Sequence, residues 1–201
     1  YDNKYIKQNI EKNDPNNKYW FFTYNDIHIN LIDSSIKTFD KTFEILSQCN
    51  GCIFSINCNK YKISDIDNDL YSYFYACYTL GIKNIIILIY NLENFPNNDA
   101  KNIFNNINNY YKKKLNKIGL TCVCIPFSTL EDMDHTEWFN DYNMLESISK
   151  FSINDTSELE KTLIINNTFN YNKNYGVING VINSGIIRKT DVICIKPQNL
   201  I

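Results

Sequence analysis

The run Ile85-Ile86-Ile87-Leu88-Ile89-Tyr90 constrains the fold more than any other stretch of the chain. It is short, wholly apolar up to its last residue and rich in β-branched side chains, the pattern of a parallel strand covered on both faces. Gly81, just upstream, suits the left-handed position that closes a helix. Asn91-Leu92-Glu93-Asn94 then forms a polar loop at the strand's carboxyl end. Ligands of open α/β sheets sit just past such ends. Any small-molecule site is therefore expected at residues 90–94 and at the ends of neighbouring strands.

The rest of the chain alternates around this strand. Residues 18–33 read as a β-hairpin turning at Tyr24-Asn25-Asp26, with Ile27, Ile29 and Leu31 on one face and a second strand that enters a sheet. Residues 38–48 read as a helix with Phe39, Phe43 and Leu46 on one side, 52–56 as a strand, 57–67 as a polar loop, and 70–80 as an aromatic-rich helix. Residues 100–118 carry the apolar stripe Ile103, Ile107, Tyr111, Leu115 and Ile118, closed by Gly119. A strand at 121–127 follows, and Trp138-Phe139 with residues 144–148 predict a last helix packed back on the sheet. Strand–helix alternation of this kind predicts a doubly wound, mostly parallel α/β sheet. After about Phe151 the pattern changes to β runs at 163–169, 175–183 and 191–196 separated by Asn- and Gly-containing turns, the start of an all-β domain. The expected domains are 1–155 and 156–201.

Composition sets bounds. A chain of 201 residues is expected to hold one full domain and part of another, and a 44% hydrophobic content supplies its core. A net charge of −2 announces neither a nucleic-acid nor a membrane partner. The one arginine is Arg188, and asparagine, isoleucine and lysine are so abundant that single occurrences carry little weight. Seven cysteines, an odd number without a secretory leader, are expected as thiols in a reducing cytoplasm. No apolar run is long enough to span a bilayer. The first residue is Tyr1, so the chain is expected to begin inside a longer protein.

Several stretches resemble one family. Tyr78-Thr79-Leu80-Gly81-Ile82-Lys83 is similar to the segment before the guanine-recognition loop of translational GTPases of the elongation factor 1-alpha and release factor three type. Trp20 falls where that family often has Trp, and Trp138-Phe139 followed by Met144-Leu145-Glu146 resembles the end of its G domain. Tyr175-Gly176-Val177-Ile178-Asn179-Gly180-Val181-Ile182-Asn183-Ser184-Gly185, with Ile186-Ile187-Arg188-Lys189 and Pro197, resembles the first β-barrel domain of the release factor three and ribosome-rescue branch. The resemblance is collinear from Trp20 to Asn199. It implies a P-loop GTPase-like domain lacking its first strand and phosphate loop, followed by the start of a translation-factor-type β-barrel.

The family's chemistry is altered in this sequence. No Gly-Lys pair of a phosphate loop occurs, and the family places that loop upstream of residue 1. The second switch reads Asp-x-x-Gly-His in the family; here Asp33 remains, but Ile36 and Lys37 replace the glycine and histidine. Isoleucine lacks glycine's backbone freedom, and lysine cannot accept a proton from water. Asp33 is read as a strand-end carboxylate capping the next turn, with a magnesium role as the weaker alternative. The guanine loop Asn-Lys-x-Asp becomes Tyr90-Asn91-Leu92-Glu93, or, slipped by one residue, Asn91 and Asn94 take the Asn and Asp places. Ser128 and Thr129 match the last base-backing turn, and the first-switch threonine is matched by Asp14.

The resemblance therefore implies a degenerate member: a cytoplasmic pseudo-GTPase, binding or adapting in translation, termination, ribosome rescue or RNA surveillance. Its partners would be a ribosome, a tRNA-shaped release or rescue factor, or an RNA-surveillance complex, with no membrane or DNA. The alternative is an atypical but active GTPase that binds GTP or GDP with magnesium through Asp33, Asn91, Glu93, Ser128 and Thr129. Outside that frame, Cys49-Asn50-Gly51-Cys52, with Cys58 near, has zinc-like spacing but no second pair, so buried thiols are expected. Cys122 and Cys124 share a strand face, a core pattern. Lys112-Lys113-Lys114 reads as a solvated helix face, with an RNA contact as the other reading.

Overall fold

The computed structural model describes residues 18–34, 39–60, 67–128, 138–151, 157–172 and 175–195. The chain divides into two compact units, Tyr1–Ser152 and Ile153–Ile201.

The first unit opens with a hairpin, β1 (Lys18–Tyr24) and β2 (Ile27–Asp33), paired antiparallel with Tyr24 opposite Ile27. Asn25 and Asp26 both take positive φ, 47° and 63°, the mirror-image turn whose twist matches that of the strands. Ile29 is buried while His28 and Asn30 are exposed, as the period-two pattern predicts, but Ile27, on the face of Ile29, is exposed. The hairpin forms a two-stranded sheet of its own, so among the described residues β2 pairs only with β1.

The core is a three-stranded parallel sheet in the order β3 (Gly51–Asn57), β4 (Asn84–Tyr90), β5 (Val123–Phe127). β4 lies in the middle, and Ile86, Ile87 and Ile89 are each 0% exposed. Burying one such side chain contributes about 1.5–3 kcal/mol, so this strand anchors the unit. The helices are α1 (Phe39–Leu46), α2 (Asp67–Thr79), α3 (Asn97–Lys117) and α4 (Met144–Ser149). α1, α2 and α3 are joined edge to edge by rings: Phe39 on Tyr73 at 5.4 Å and Phe74 on Tyr111 at 5.9 Å.

Two glycines end helices and launch strands. Gly81 has φ 73° and Gly119 φ 80°. After α2, the Ile82 amide donates to the Cys77 carbonyl (2.8 Å) and Gly81 to Tyr78 (3.1 Å); after α3, Leu120 donates to Leu115 (3.0 Å) and Gly119 to Asn116 (3.2 Å). Both are the paired stop in which a left-handed residue lets two amides cap the last carbonyls. α4 starts with a reciprocal cap: the Glu146 amide donates to Asn143 Oδ1 (2.8 Å) and the Asn143 amide to Glu146 Oε2 (3.1 Å). Phe139, just upstream, is buried against Phe104 at 5.4 Å, and Phe151 after the helix covers Gly51, where a Cβ would lie 2.3 Å from its ring. The aromatic pair 138–139 and the helix after it pack on the core as the sequence predicts.

The second unit is an antiparallel pair, β6 (Thr162–Asn172) and β7 (Tyr175–Ser184), interrupted by three register shifts. A Cβ on Gly180 would sit 2.2 Å from the Ile164 carbonyl oxygen, so the strands approach there as only glycine permits. The third β run expected at 191–196 differs: residues 191–194 form no strand. Asp191 instead organises a turn, its Oδ2 accepting from the Arg188 amide (2.7 Å) and from Lys161 Nζ (2.9 Å). Pro197 lies outside the described residues.

Candidate functional site

The register of the parallel sheet brings three strand ends to one level. Asn57 pairs with Tyr90, and Tyr90 with Phe127. The loops that leave these residues therefore share one edge of the sheet, the edge where α/β ligand sites form. β3 runs into a one-turn helix, Cys58–Lys60, and β4 into another, Leu92–Asn94.

Asn91 is the hinge between β4 and its loop. Its backbone is left-handed, φ 68° and ψ 20°. Asparagine tolerates that region better than most side chains because it can hydrogen-bond locally. Here its Nδ2 donates to Asn57 Oδ1 at 2.9 Å. Asn57 Oδ1 also accepts from the Asn59 amide at 3.0 Å, so one carboxamide oxygen ties both loops together. Leu92 is 2% exposed and pins the short helix to the core, while Phe95 closes it by donating to the Leu92 carbonyl at 3.1 Å.

Glu93 and Asn94 are exposed beyond this anchor. Burial first and the negative charge of Glu93 second push the Cys58 thiol up to about 11. A thiol so raised stays protonated at neutral pH and is a poor nucleophile or metal ligand. Ser128 follows β5 at the same edge and is half-buried.

The remaining sequence-derived positions fall elsewhere. Asp33 is half-buried at the end of β2, in register with Lys18 in the separate hairpin. Thr129, Ile36, Lys37 and Asp14 lie outside the described residues. Asn57 is the member that motif reading passes over. The signal was positional: it is the polar last residue of β3, and Asn91 and Ser128 are the polar residues that directly follow β4 and β5.

Cys58, Cys77, Cys122 and Cys124 are buried in the core, Cys49 and Cys52 are half-buried, and Cys194 is exposed. A hydrogen bond to Cys77, and then burial, hold the Cys52 thiol well above its ordinary value, and the same two causes act on Cys124 through Cys122, 4.0 Å away. Among the described residues no group of three or more His, Cys, Asp or Glu side chains is placed to hold a metal ion. Among them, too, no helix is long and apolar enough to cross a membrane.

No protein-family model matches this sequence, and no curated protein does. Solved structures do match. Translation elongation factor SelB from Methanococcus maripaludis, in complex with the GTP analogue GppNHp, superposes with a TM-score of 0.67 over 92% of this chain and 39% of its own, at 13% identity. A bacterial selenocysteine-specific elongation factor, EF-Sec, gives 0.62 over 92% of this chain and 31% of its own, at 14% identity. The apo form of the same archaeal SelB gives 0.61 over 89% and 38%, at 13% identity. The chain spans roughly a third of the length of the proteins it matches. At this identity the likeness is one of architecture: the protein has the fold of the corresponding part of a translation elongation factor.

Proposed function

We propose that this chain is the G-domain-like part, residues 1–155, and the start of the β-barrel domain, residues 156–201, of a translation-factor-type protein whose nucleotide handling is weakened or lost. It works as a binding or adaptor protein in translation, termination, ribosome rescue or RNA surveillance, with a ribosome, a tRNA-shaped factor or a surveillance complex as partner, in the cytoplasm.

The observation that carries this reading is the end of β4. At the place where, by resemblance, a lysine stem lies over the base, Asn91 points its amide at Asn57. Where the family has asparagine stands Tyr90, and the carboxylate expected to grip the base is the longer Glu93. A site that reads a base by paired hydrogen bonds loses selectivity steeply when a partner is misplaced. Asp33 is the carboxylate the resemblance offers a magnesium ion, and Ile36 and Lys37 replace the glycine and histidine that accompany it in the family.

Calorimetric titration of the protein with GTP and GDP, with and without magnesium, tests the reading. Binding weaker than millimolar for both is expected. Micromolar or tighter, magnesium-dependent binding would defeat it. That result would establish the second reading, an atypical but active GTPase, which is favoured by the retained charge of Glu93 and by the nucleotide analogue held in the archaeal SelB structure.

A further inference from the structure

The flank formed by α2 and α3 has a chemistry the strand-end site does not use. Tyr71, Tyr75 and Tyr78 stand one turn apart on one face of α2. Tyr75 is 45% and Tyr78 55% exposed, a large exposure for an aromatic ring. The Tyr71 and Tyr75 rings meet edge to face at 4.8 Å, with their hydroxyls 3.4 Å apart. That hydrogen bond holds the Tyr75 phenol above its ordinary value. Across the seam, Lys114 Nζ of α3 lies 4.9 Å from the centre of the Tyr71 ring and 5.3 Å from that of Tyr110. At the far end the Tyr78 ring edge borders Gly119: a Cβ there would lie 3.6 Å from it. The tyrosine row thus follows the last turns of α3, whose Lys113 and Lys117 share the flank of Tyr110 and Lys114 by helical spacing and are both exposed.

Along the tyrosine row and the last turns of α3 the charges are positive: no acidic residue occurs between Asp69 and Glu93 or between Asp99 and Glu131, whereas Lys83, Lys113, Lys114 and Lys117 do, and the acids of the two helices, Asp67, Asp69 and Asp99, stand in their first turns. In a chain of net charge −2, the run Lys112-Lys113-Lys114 with Lys117 is a local concentration of positive charge, of the kind a polyanion partner uses. Exposed ring faces interleaved with lysines match unpaired bases joined by phosphates. An acidic peptide would use the charges but has no planar groups for the rings.

We propose that this flank binds single-stranded RNA, with Tyr75 and Tyr78 as stacking platforms for unpaired bases and Lys113, Lys114 and Lys117 on the phosphates. The surface lies toward the amino ends of the parallel strands, where α2 and α3 finish, and does not depend on whether a nucleotide binds at the opposite edge.

Fluorescence anisotropy of the purified chain with a labelled oligouridylate of about 12 nucleotides, long enough for one stacking groove, tests this. A labelled polyglutamate of equal length is the comparator. Saturable RNA binding is expected, with log K falling against log salt at a slope of about −2 for three lysines. Tyr75→Ala and Tyr78→Ala should each weaken binding about 10-fold, and Tyr75→Phe and Tyr78→Phe should restore it. Lys117→Gln should flatten the slope by about 0.7. All three positions are exposed, and unchanged circular dichroism confirms that the variants fold. Absence of saturable RNA binding, equal affinity for polyglutamate, or alanine variants that bind as tightly as the parent would each overturn the proposal.

Discussion

Asn91 is held in two ways, and substitutions can separate them. Its backbone sits at φ 68°, and its side chain donates to Asn57 across 2.9 Å. Asn91→Gly removes the side-chain bond but keeps the backbone region open, a cost of about 0.5–1.5 kcal/mol. Asn91→Ala removes the same bond and adds a Cβ without asparagine's local compensation, a further cost of about 1–2 kcal/mol. Alanine should therefore be the worse replacement by roughly 1 kcal/mol or more, the reverse of the order in a helix, where glycine is the worse residue. Asn57→Ala withdraws the oxygen that both Asn91 and the Asn59 amide use, at about 1–3 kcal/mol for the two bonds. The double variant Asn57→Ala/Asn91→Gly should recover about 0.5–1.5 kcal/mol of that sum as coupling. Urea unfolding followed by tryptophan fluorescence reads these values at constant slope, and both tryptophans, Trp20 and Trp138, belong to the first unit. Equal costs for glycine and alanine would refute the left-handed hinge. A vanishing coupling would refute the Asn57 bond as the tie between the loops. Since this edge is read as having given up its nucleotide, millimolar GTP with magnesium should leave the order of the variants unchanged.

Other expectations follow from burial and charge. Ile87→Ala, at a fully buried position of β4, should cost about 2–5 kcal/mol in the same assay, whereas Val123→Ala, at a site 47% exposed, should cost under about 1 kcal/mol. Gly180→Ala should drive the β6 and β7 backbones apart and abolish hydrogen-exchange protection of that pair, because its Cβ would meet the Ile164 carbonyl at 2.2 Å. Asp191 accepts from the Arg188 amide and then from Lys161, and these hold its carboxyl below the usual range. Its contribution to the turn is present above the ordinary carboxylate pKa and is lost as pH falls through the lower folded value. The Arg188 amide resonance should therefore titrate below about pH 3.9, and Asp191→Asn should remove that titration.

Local signals explain what could be read in advance. β4 was legible because its apolar side chains have no polar face to expose, and the stops at Gly81 and Gly119 because few residues other than glycine close a helix left-handed. The same logic failed at 191–194: Val192, Ile193 and Cys194 have strand character, but a strand exists only where a partner's backbone meets it, and just before them Asp191 closes a turn. The candidate site divides in the same way. Glu93 and Ser128 were legible as strand-end polar residues. The tie at Asn91 was not, because it depends on Asn57, which lies 34 residues earlier and reaches it only through the register of two parallel strands.

By itself the sequence determined the succession of strands and helices along the first unit and the helix stops, since each follows from side chains near one another along the chain. The tertiary structure alone decided that Asn91 faces Asn57, that Phe151 covers Gly51 and that Lys114 rests on Tyr71. Those contacts join residues far apart in sequence, and no local preference specifies which distant surface a side chain will meet.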